Sequence, residues 1–224
     1  MREIHTGLIT EAVKEMCIEA NHVLARDMEQ VFNLAVKEEE SPLGRQVLGQ
    51  LKENLKIAAE DMIPICQDTG MAVVFIKVGQ DVHITGGSLT GAVNEGVKRG
   101  YEEGYLRKSV VGDPIQRINT KDNTPAVIHY EIVEGDAVDI TVAPKGFGSE
   151  NMSRIQMLKP ADGVEGFKKF VVDTVKLAGS NPCPPIVLGI GVGGSFDKVA
   201  YLAKKALLRP LDVPNPDPYY AQLE

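Results

Sequence analysis

The stretch Ile63-Pro64-Ile65-Cys66-Gln67-Asp68-Thr69-Gly70 decides how the rest of the chain is read. Upstream of it apolar residues recur at helical spacing, and downstream, from Ala72, they run continuously as in a buried strand. The junction concentrates a thiol, an amide, a carboxylate and a hydroxyl, and a turn between two elements is where a rigid scaffold can present chemistry. A second cysteine has an equally constrained setting, Asn181-Pro182-Cys183-Pro184-Pro185. The surrounding prolines fix φ and remove neighbouring N–H donors, so this sulfur can be aimed at low entropic cost. The two sulfurs are therefore candidates for one metal site.

Upstream, Leu8, Ile9, Ala12, Val13, Met16, Cys17 and Ala20 form one helix face. Cys17 belongs to that stripe as a small buried hydrophobe, not a ligand. A second helix is expected from Asp27, whose carboxylate would cap the first turn with Gln30 three residues on, through Val31, Phe32 and Ala35. A third takes Ser41 as N-cap and Pro42 as its first helical residue, then continues through Leu43, Val47, Leu48, Leu51, Leu55 and Ala58. The chain up to about residue 60 thus reads as a helical layer.

Downstream, Ala72 to Val78 and Val82 to Ile84 flank Gly79-Gln80-Asp81 and predict a hairpin, with His83 exposed beside its turn. A helix is expected from about Leu89 to Glu103. Ala126 to Ile132 and Val138 to Val142 flank Glu134-Gly135-Asp136 and predict a second hairpin. His129 alternates with Ile128 and Tyr130, so it reads as a strand residue, not a catalyst. Further helices are expected over about Val164 to Ala178 and Ser195 to Leu208, with Ile186 to Ile190 as a buried strand between them. The fold expected is α+β. A single domain over 1–224 would carry an N-terminal helical layer (about 1–60) packed on a mixed β-sheet with further helices (about 61–210), then a tail (211–224).

Composition bounds the function. With 43% hydrophobic and 25% charged residues the chain has the material of an ordinary globular protein. A net charge of −7 and no dense run of Lys and Arg argue against a nucleic-acid surface. No apolar run approaches the roughly 18 residues a membrane helix needs, and Met1-Arg2-Glu3 is not a secretory start, so a cytoplasmic protein without a membrane partner is expected. Three widely separated cysteines read as free thiols or ligands, not as a disulfide framework.

Two further stretches carry chemistry. Arg107 and Lys108 lie in a loop, where cations are ordinarily just solvated. Lys145-Gly146-Phe147-Gly148-Ser149-Glu150-Asn151 could converge backbone N–H groups on a carboxylate or phosphate, with Lys145 adding charge. A rival reading comes from Gly189, Gly191 and Gly194, which satisfy G-x-G-x-x-G before a helix. A dinucleotide unit needs a second parallel strand after that helix, and the proline-rich Val213 to Pro218 cannot supply one. Close packing of helix and strand is the stronger account, and a nucleotide-binding module using Gly189 to Gly194 stays as the alternative from a different class.

Five stretches in order resemble one family: Cys66-Gln67-Asp68-Thr69-Gly70, Tyr105-Leu106-Arg107-Lys108-Ser109, Asn123-Thr124-Pro125-Ala126, Ala143-Pro144-Lys145-Gly146-Phe147-Gly148-Ser149-Glu150-Asn151 and Asn181-Pro182-Cys183-Pro184-Pro185. Along nearly its whole length the chain resembles the α subunit of the two-subunit class I fumarate hydratases and L-tartrate dehydratases. The resemblance implies a hydro-lyase carrying a 4Fe-4S cluster, with Cys66 and Cys183 as two of its three cysteine ligands. It also implies a dicarboxylate pocket lined by Gln67, Asp68, Arg107, Lys145 and the Gly148 backbone. The family's third cysteine and its substrate-side histidine fall beyond Glu224, and Cys17 does not match that ligand. No catalytic residue is assigned within this chain, since the family's threonine base belongs to the β subunit. The expected activity is hydration of fumarate to L-malate, the alternative is L-tartrate dehydration, and an oligomer containing the β subunit is the expected assembly. A structural or regulatory subunit that lacks the cluster is a further reading, because the third ligand is missing.

Overall fold

The computed structural model describes residues Met1–Glu224. In chain order the elements are β1 (Arg2–His5), α1 (Thr6–His22), α2 (Arg26–Glu38), α3 (Pro42–Asp61), β2 (Met71–Gly79), β3 (Val82–Thr85), α4 (Leu89–Glu103), β4 (Val127–Val133), β5 (Val138–Lys145), α5 (Phe147–Glu150), α6 (Gly163–Ala178), α7 (Phe196–Ala206) and α8 (Pro218–Ala221). They fall into two compact units, Met1–Lys145 with Pro210–Glu224, and Gly146–Arg209. The fold class is α+β as the periodicities predict, and no helix is long and apolar enough to cross a membrane.

The core of the first unit is a helix pair laid on a sheet. Ile9, Val13 and Cys17 of α1 meet Ala92, Val93, Val97 and Tyr101 of α4, and both face Ala72, Val74 and Ile76 of β2. The helices approach closely because Gly96 and Gly100 carry no side chain. A Cβ on Gly96 would lie 2.7 Å from the Thr10 carbonyl oxygen, and one on Gly100 would lie 2.7 Å from the Cys17 Cβ. Across the outer rim, Glu11 of α1 pairs with Lys14 (2.8 Å) and with Arg99 of α4. Lys14 and Arg99 hold the Glu11 carboxyl below its ordinary value, the hydrogen bond from Lys14 contributing most. Cys17 is enclosed as its stripe predicts, and burial pushes its thiol up to about 12.

The helix ends differ from expectation in one place. Ser41 caps α3 through Gly44 N (3.2 Å), with Pro42 in the first turn. Asp27, however, does not cap α2. The helix starts one residue earlier, Ala25 is the N-cap, and the Asp27 carboxylate instead accepts from Leu211 N at 3.0 Å.

The sheet corrects both predicted hairpins. Its strand order is β4-β2-β5, with β2 parallel to β4 and antiparallel to β5, so β4 and β5 are separated by the strand they were expected to exclude. The tip of β2 enters the arch between them: Gly79 N donates to Ala137 O, Gln80 N to Val133 O and Asp81 N to Gly135 O. Burial explains the outcome. Ala72 to Ile76 are covered on both faces of β2, and such a strand leaves no unpaired backbone only when it has a neighbour on each side. β3 pairs instead with β1, in parallel, from Arg2↔Val82 to His5↔Thr85. His83 is exposed as expected, and His129 is a strand residue whose ring lies 4.9 Å from that of its register partner Phe75.

In the second unit α6 and α7 form as predicted, but Ile186 to Ile190 is not a strand. The segment has strand composition without a ladder partner. It lies against α7 at close quarters, since a Cβ on Gly189 would fall 2.2 Å from Ala203 O and one on Gly191 would fall 2.3 Å from Val199 O.

Candidate functional site

The turn from Ile63 to Gly70 is held at its entry by the helical layer. Ile65 N donates to Asn21 O at the end of α1 (2.8 Å), and Asn54 Nδ2 of α3 donates to Ile65 O (2.9 Å). Beyond that anchor Cys66 is exposed. Its sulfur lies 3.2 Å from Gln67 Oε1 and receives the Asp68 N–H at 3.5 Å. Thr69 and Gly70 then plunge back into the core, and β2 begins at Met71.

The arginine loop is fastened to that turn. Leu106 is buried and anchors the segment, which leaves Arg107 exposed beside it. The Thr69 hydroxyl donates to Arg107 O at 3.1 Å, and Tyr101 OH donates to Thr69 O at 2.8 Å. Asn123 completes the connection, donating to Gly70 O and accepting from Ser109 N and Val110 N. Lys145 also belongs to this neighbourhood, because its register partner is Met71, the residue after Gly70. The structure therefore brings Cys66, Gln67, Asp68, Arg107 and Lys145 to one region of the first unit.

Gly148 and Cys183 lie in the second unit, where they are brought near each other. A Cβ on Gly148 would stand 2.8 Å from Asn181 O, so glycine is what lets the α5 turn approach the proline-bracketed loop. Asn181 Nδ2 also reaches Met152 Sδ at 3.5 Å. Lys204 of α7 pairs with Glu150 of α5 at 2.5 Å, bracing that turn from the other side. Cys183 is exposed with φ 58°, and its N–H donates to Ser180 O at 3.1 Å.

Thr69, Tyr101 and Asn123 are structural members of the site that the sequence did not single out by role. The Asn123 stretch is among the five quoted above, yet nothing in its pattern says that its amide is wholly enclosed. The G-x-G-x-x-G pattern, by contrast, resolves into packing: Gly189 and Gly191 face α7 backbone, and no strand follows that helix.

By geometry alone this is an α+β protein that offers two exposed thiols from constrained turns, one of them on a turn tied to the backbone of an arginine-bearing loop. Soft sulfur donors suit iron or zinc, and a guanidinium suits a carboxylate or phosphate.

Comparison with known proteins places it. The sequence profile of the fumarate hydratase (Fumerase) family matches residues 10–224. A protein of Methanocaldococcus jannaschii provisionally named as an L(+)-tartrate dehydratase subunit alpha is 42% identical over 222 residues, covering 96% of this chain and 78% of that protein. The L(+)-tartrate dehydratase subunits alpha of Escherichia coli K12 and Shigella sonnei are each 32% identical over 190 residues, covering 83% of this chain. The chain spans 62% of the length of those two relatives. It belongs to the fumarate hydratase/tartrate dehydratase family, whose members are hydro-lyases.

Proposed function

We propose that this chain is the α subunit of a dicarboxylate hydro-lyase whose active site is completed by a separate β subunit. The observation that carries the reading is the fastening of the Arg107 loop to the Cys66 turn through Thr69. It joins a carboxylate-gripping cation and a soft metal donor through one buried anchor. L-tartrate is the first substrate reading, because the relatives carry that name. Fumarate, hydrated to L-malate, is the second, favoured by the family's own description.

Members of the family generally depend on an iron–sulfur cluster. The residues here fit such a group in kind. Cys66 and Cys183 are exposed thiols, and Asp68 N–H is directed at the Cys66 sulfur. Cys17 is unsuitable, since it is enclosed and its thiol is pushed up to about 12. No three His, Cys, Asp or Glu side chains gather into a metal-holding group. On this reading Cys66 of the first unit and Cys183 of the second would each be a cysteine donor to a 4Fe-4S cluster. When bound, the cluster supplies an open iron that acts as a Lewis acid on a substrate hydroxyl or water.

The chain's own residues do the gripping. Arg107 presents two parallel N–H donors to one carboxylate, and Lys145 adds a second cation for the other. Gln67 offers an amide donor and acceptor to the substrate's hydroxyl, and Asp68 a further acceptor.

The test is anaerobic reconstitution of the chain with its β subunit, followed by assay with L-tartrate and with fumarate. Arg107→Ala removes a charge-assisted hydrogen-bonded pair, and a loss of about 1.5–3 kcal/mol corresponds to a KM raised roughly 10- to 150-fold. No turnover of either acid by an assembly with an intact cluster refutes the proposal.

A further inference from the structure

Asn123 contacts neither the exposed thiol nor the guanidinium, yet both loops hang from it. Its side chain is wholly enclosed, and its backbone has φ 62°, in the left-handed region that asparagine enters more readily than most residues. Nδ2 donates to Gly70 O at 3.0 Å, while Oδ1 accepts from Ser109 N at 2.7 Å and Val110 N at 3.1 Å. One side chain thus ties the end of the Cys66 turn to the chain that follows Arg107. Thr69 makes the adjoining tie, its hydroxyl donating to Arg107 O and its carbonyl accepting from Tyr101 OH.

An arginine on a surface loop ordinarily loses backbone and rotamer freedom when it grips a ligand, and that ordering subtracts from affinity. Here the backbone on both sides of Arg107 is ordered beforehand. The same ties fix the exit of the Cys66 turn, and with it the direction of the sulfur.

We infer that Asn123 and Thr69 are positioning residues that hold the Arg107 loop and the Cys66 turn in register, so that dicarboxylate affinity and access to the Cys66 sulfur depend on both. The affinity arm rests on the hydro-lyase reading; the sulfur arm stands without it.

Thr69→Val keeps the shape and removes the hydroxyl, Thr69→Ser keeps the hydroxyl, and Asn123→Asp keeps Oδ1 but sets an acceptor against Gly70 O. In the full chain assembled with its partner subunit, Thr69→Val and Asn123→Asp raise KM about tenfold for the acid that the wild type turns over, with kcat changed less than about threefold. Thr69→Ser restores KM to within about twofold of wild type. In the same assembly before iron is added, iodoacetamide labelling of Cys66, followed by mass spectrometry, speeds up at least about threefold in Thr69→Val and Asn123→Asp. Cys183 labelling stays unchanged and serves as the internal reference. Unchanged KM and unchanged Cys66 labelling in both variants overturn the inference, as does Thr69→Ser behaving like Thr69→Val. If Asn123→Asp fails to fold, the Thr69 pair decides. If the wild type turns over neither acid, the hydro-lyase reading fails and the labelling result alone judges the ties.

Discussion

The close approach of α1 and α4 implies effects of opposite sign for one kind of substitution. Adding a methyl at Gly100 places a Cβ 2.7 Å from the Cys17 Cβ and 2.9 Å from the Lys14 carbonyl oxygen. Ordinary contact is 3.4–4 Å, so α1 and α4 must part by roughly an ångström, and the neighbouring contact of Val13, Val93 and Val97 loosens with them. Overpacking of this kind costs about 1–3 kcal/mol, offset by about 1 kcal/mol from the better helix propensity of alanine. Gly100→Ala is therefore expected to destabilise by up to about 2 kcal/mol. Gly49 sits in α3 with nothing within 4 Å of a would-be Cβ. Gly49→Ala gains the propensity term alone, about 0.5–1 kcal/mol of stabilisation. Native-state hydrogen exchange of peptides from α1 and α4 and from α3 reads each effect where it arises. Exchange across α1 and α4 should rise by up to roughly 30-fold in Gly100→Ala, and exchange across α3 should fall a few-fold in Gly49→Ala. If Gly100→Ala slows exchange as Gly49→Ala does, the helices do not meet as described.

Thiol chemistry supplies a second expectation: iodoacetamide labels Cys66 and Cys183 in the native protein, and Cys17 only after unfolding. Because the Cys17 thiol is pushed up to about 12 by burial, the folded state holds its proton after the unfolded chain has lost it. Stability therefore falls as pH rises above the ordinary thiol range, and Cys17→Ala should flatten that fall in alkaline melting curves. The Glu11 carboxyl carries the opposite sign. Its lowered value gives support that is present above the ordinary carboxylate range and lost as pH falls through the folded value. Melting temperatures of Glu11→Gln should depend less on acid than those of wild type, and the difference should shrink in high salt. Gly191→Ala drives a Cβ into the Val199 carbonyl oxygen. It should lower protection in α7, while equilibrium dialysis shows no NAD or ATP binding to the wild type; micromolar binding would return those glycines to a nucleotide role.

The helices were readable because their signals are local. Leu8 to Ala20 keeps a helical stripe, and Ser41-Pro42 starts α3 with the cap its chemistry requires. Strand partners were not readable, because a turn such as Glu134-Gly135-Asp136 reports only where the chain reverses, not what lies between its arms. β1 left no pattern at all, since Arg2-Glu3-Ile4-His5 has a single apolar residue. Ile186 to Ile190 shows the converse, strand composition satisfied by packing on α7 without a ladder. Cys66 and Cys183 stand out because thiols in constrained turns are conspicuous in any sequence, whereas Arg107 stands out only through the family resemblance. Thr69 and Asn123 do not, because their importance lies in carbonyls and amides that they reach only after the chain has folded.

The insertion of β2 between β4 and β5 constrains the order in which this protein can be made. During synthesis β2 emerges before β4 and β5, with α1 already available for one of its faces, but one of its edges stays bare until Val133 has been added and the other until Lys145. Should β4 and β5 zip together across their own short turn on the way, that local pairing must be undone before β2 can enter. The most apolar strand thus waits longest for its hydrogen bonds, the circumstance in which nascent chains aggregate. Slow translation at low temperature, or a chaperone that shields the stretch from Ala72 to Val78, should raise the yield of folded protein more than any change on its finished surface.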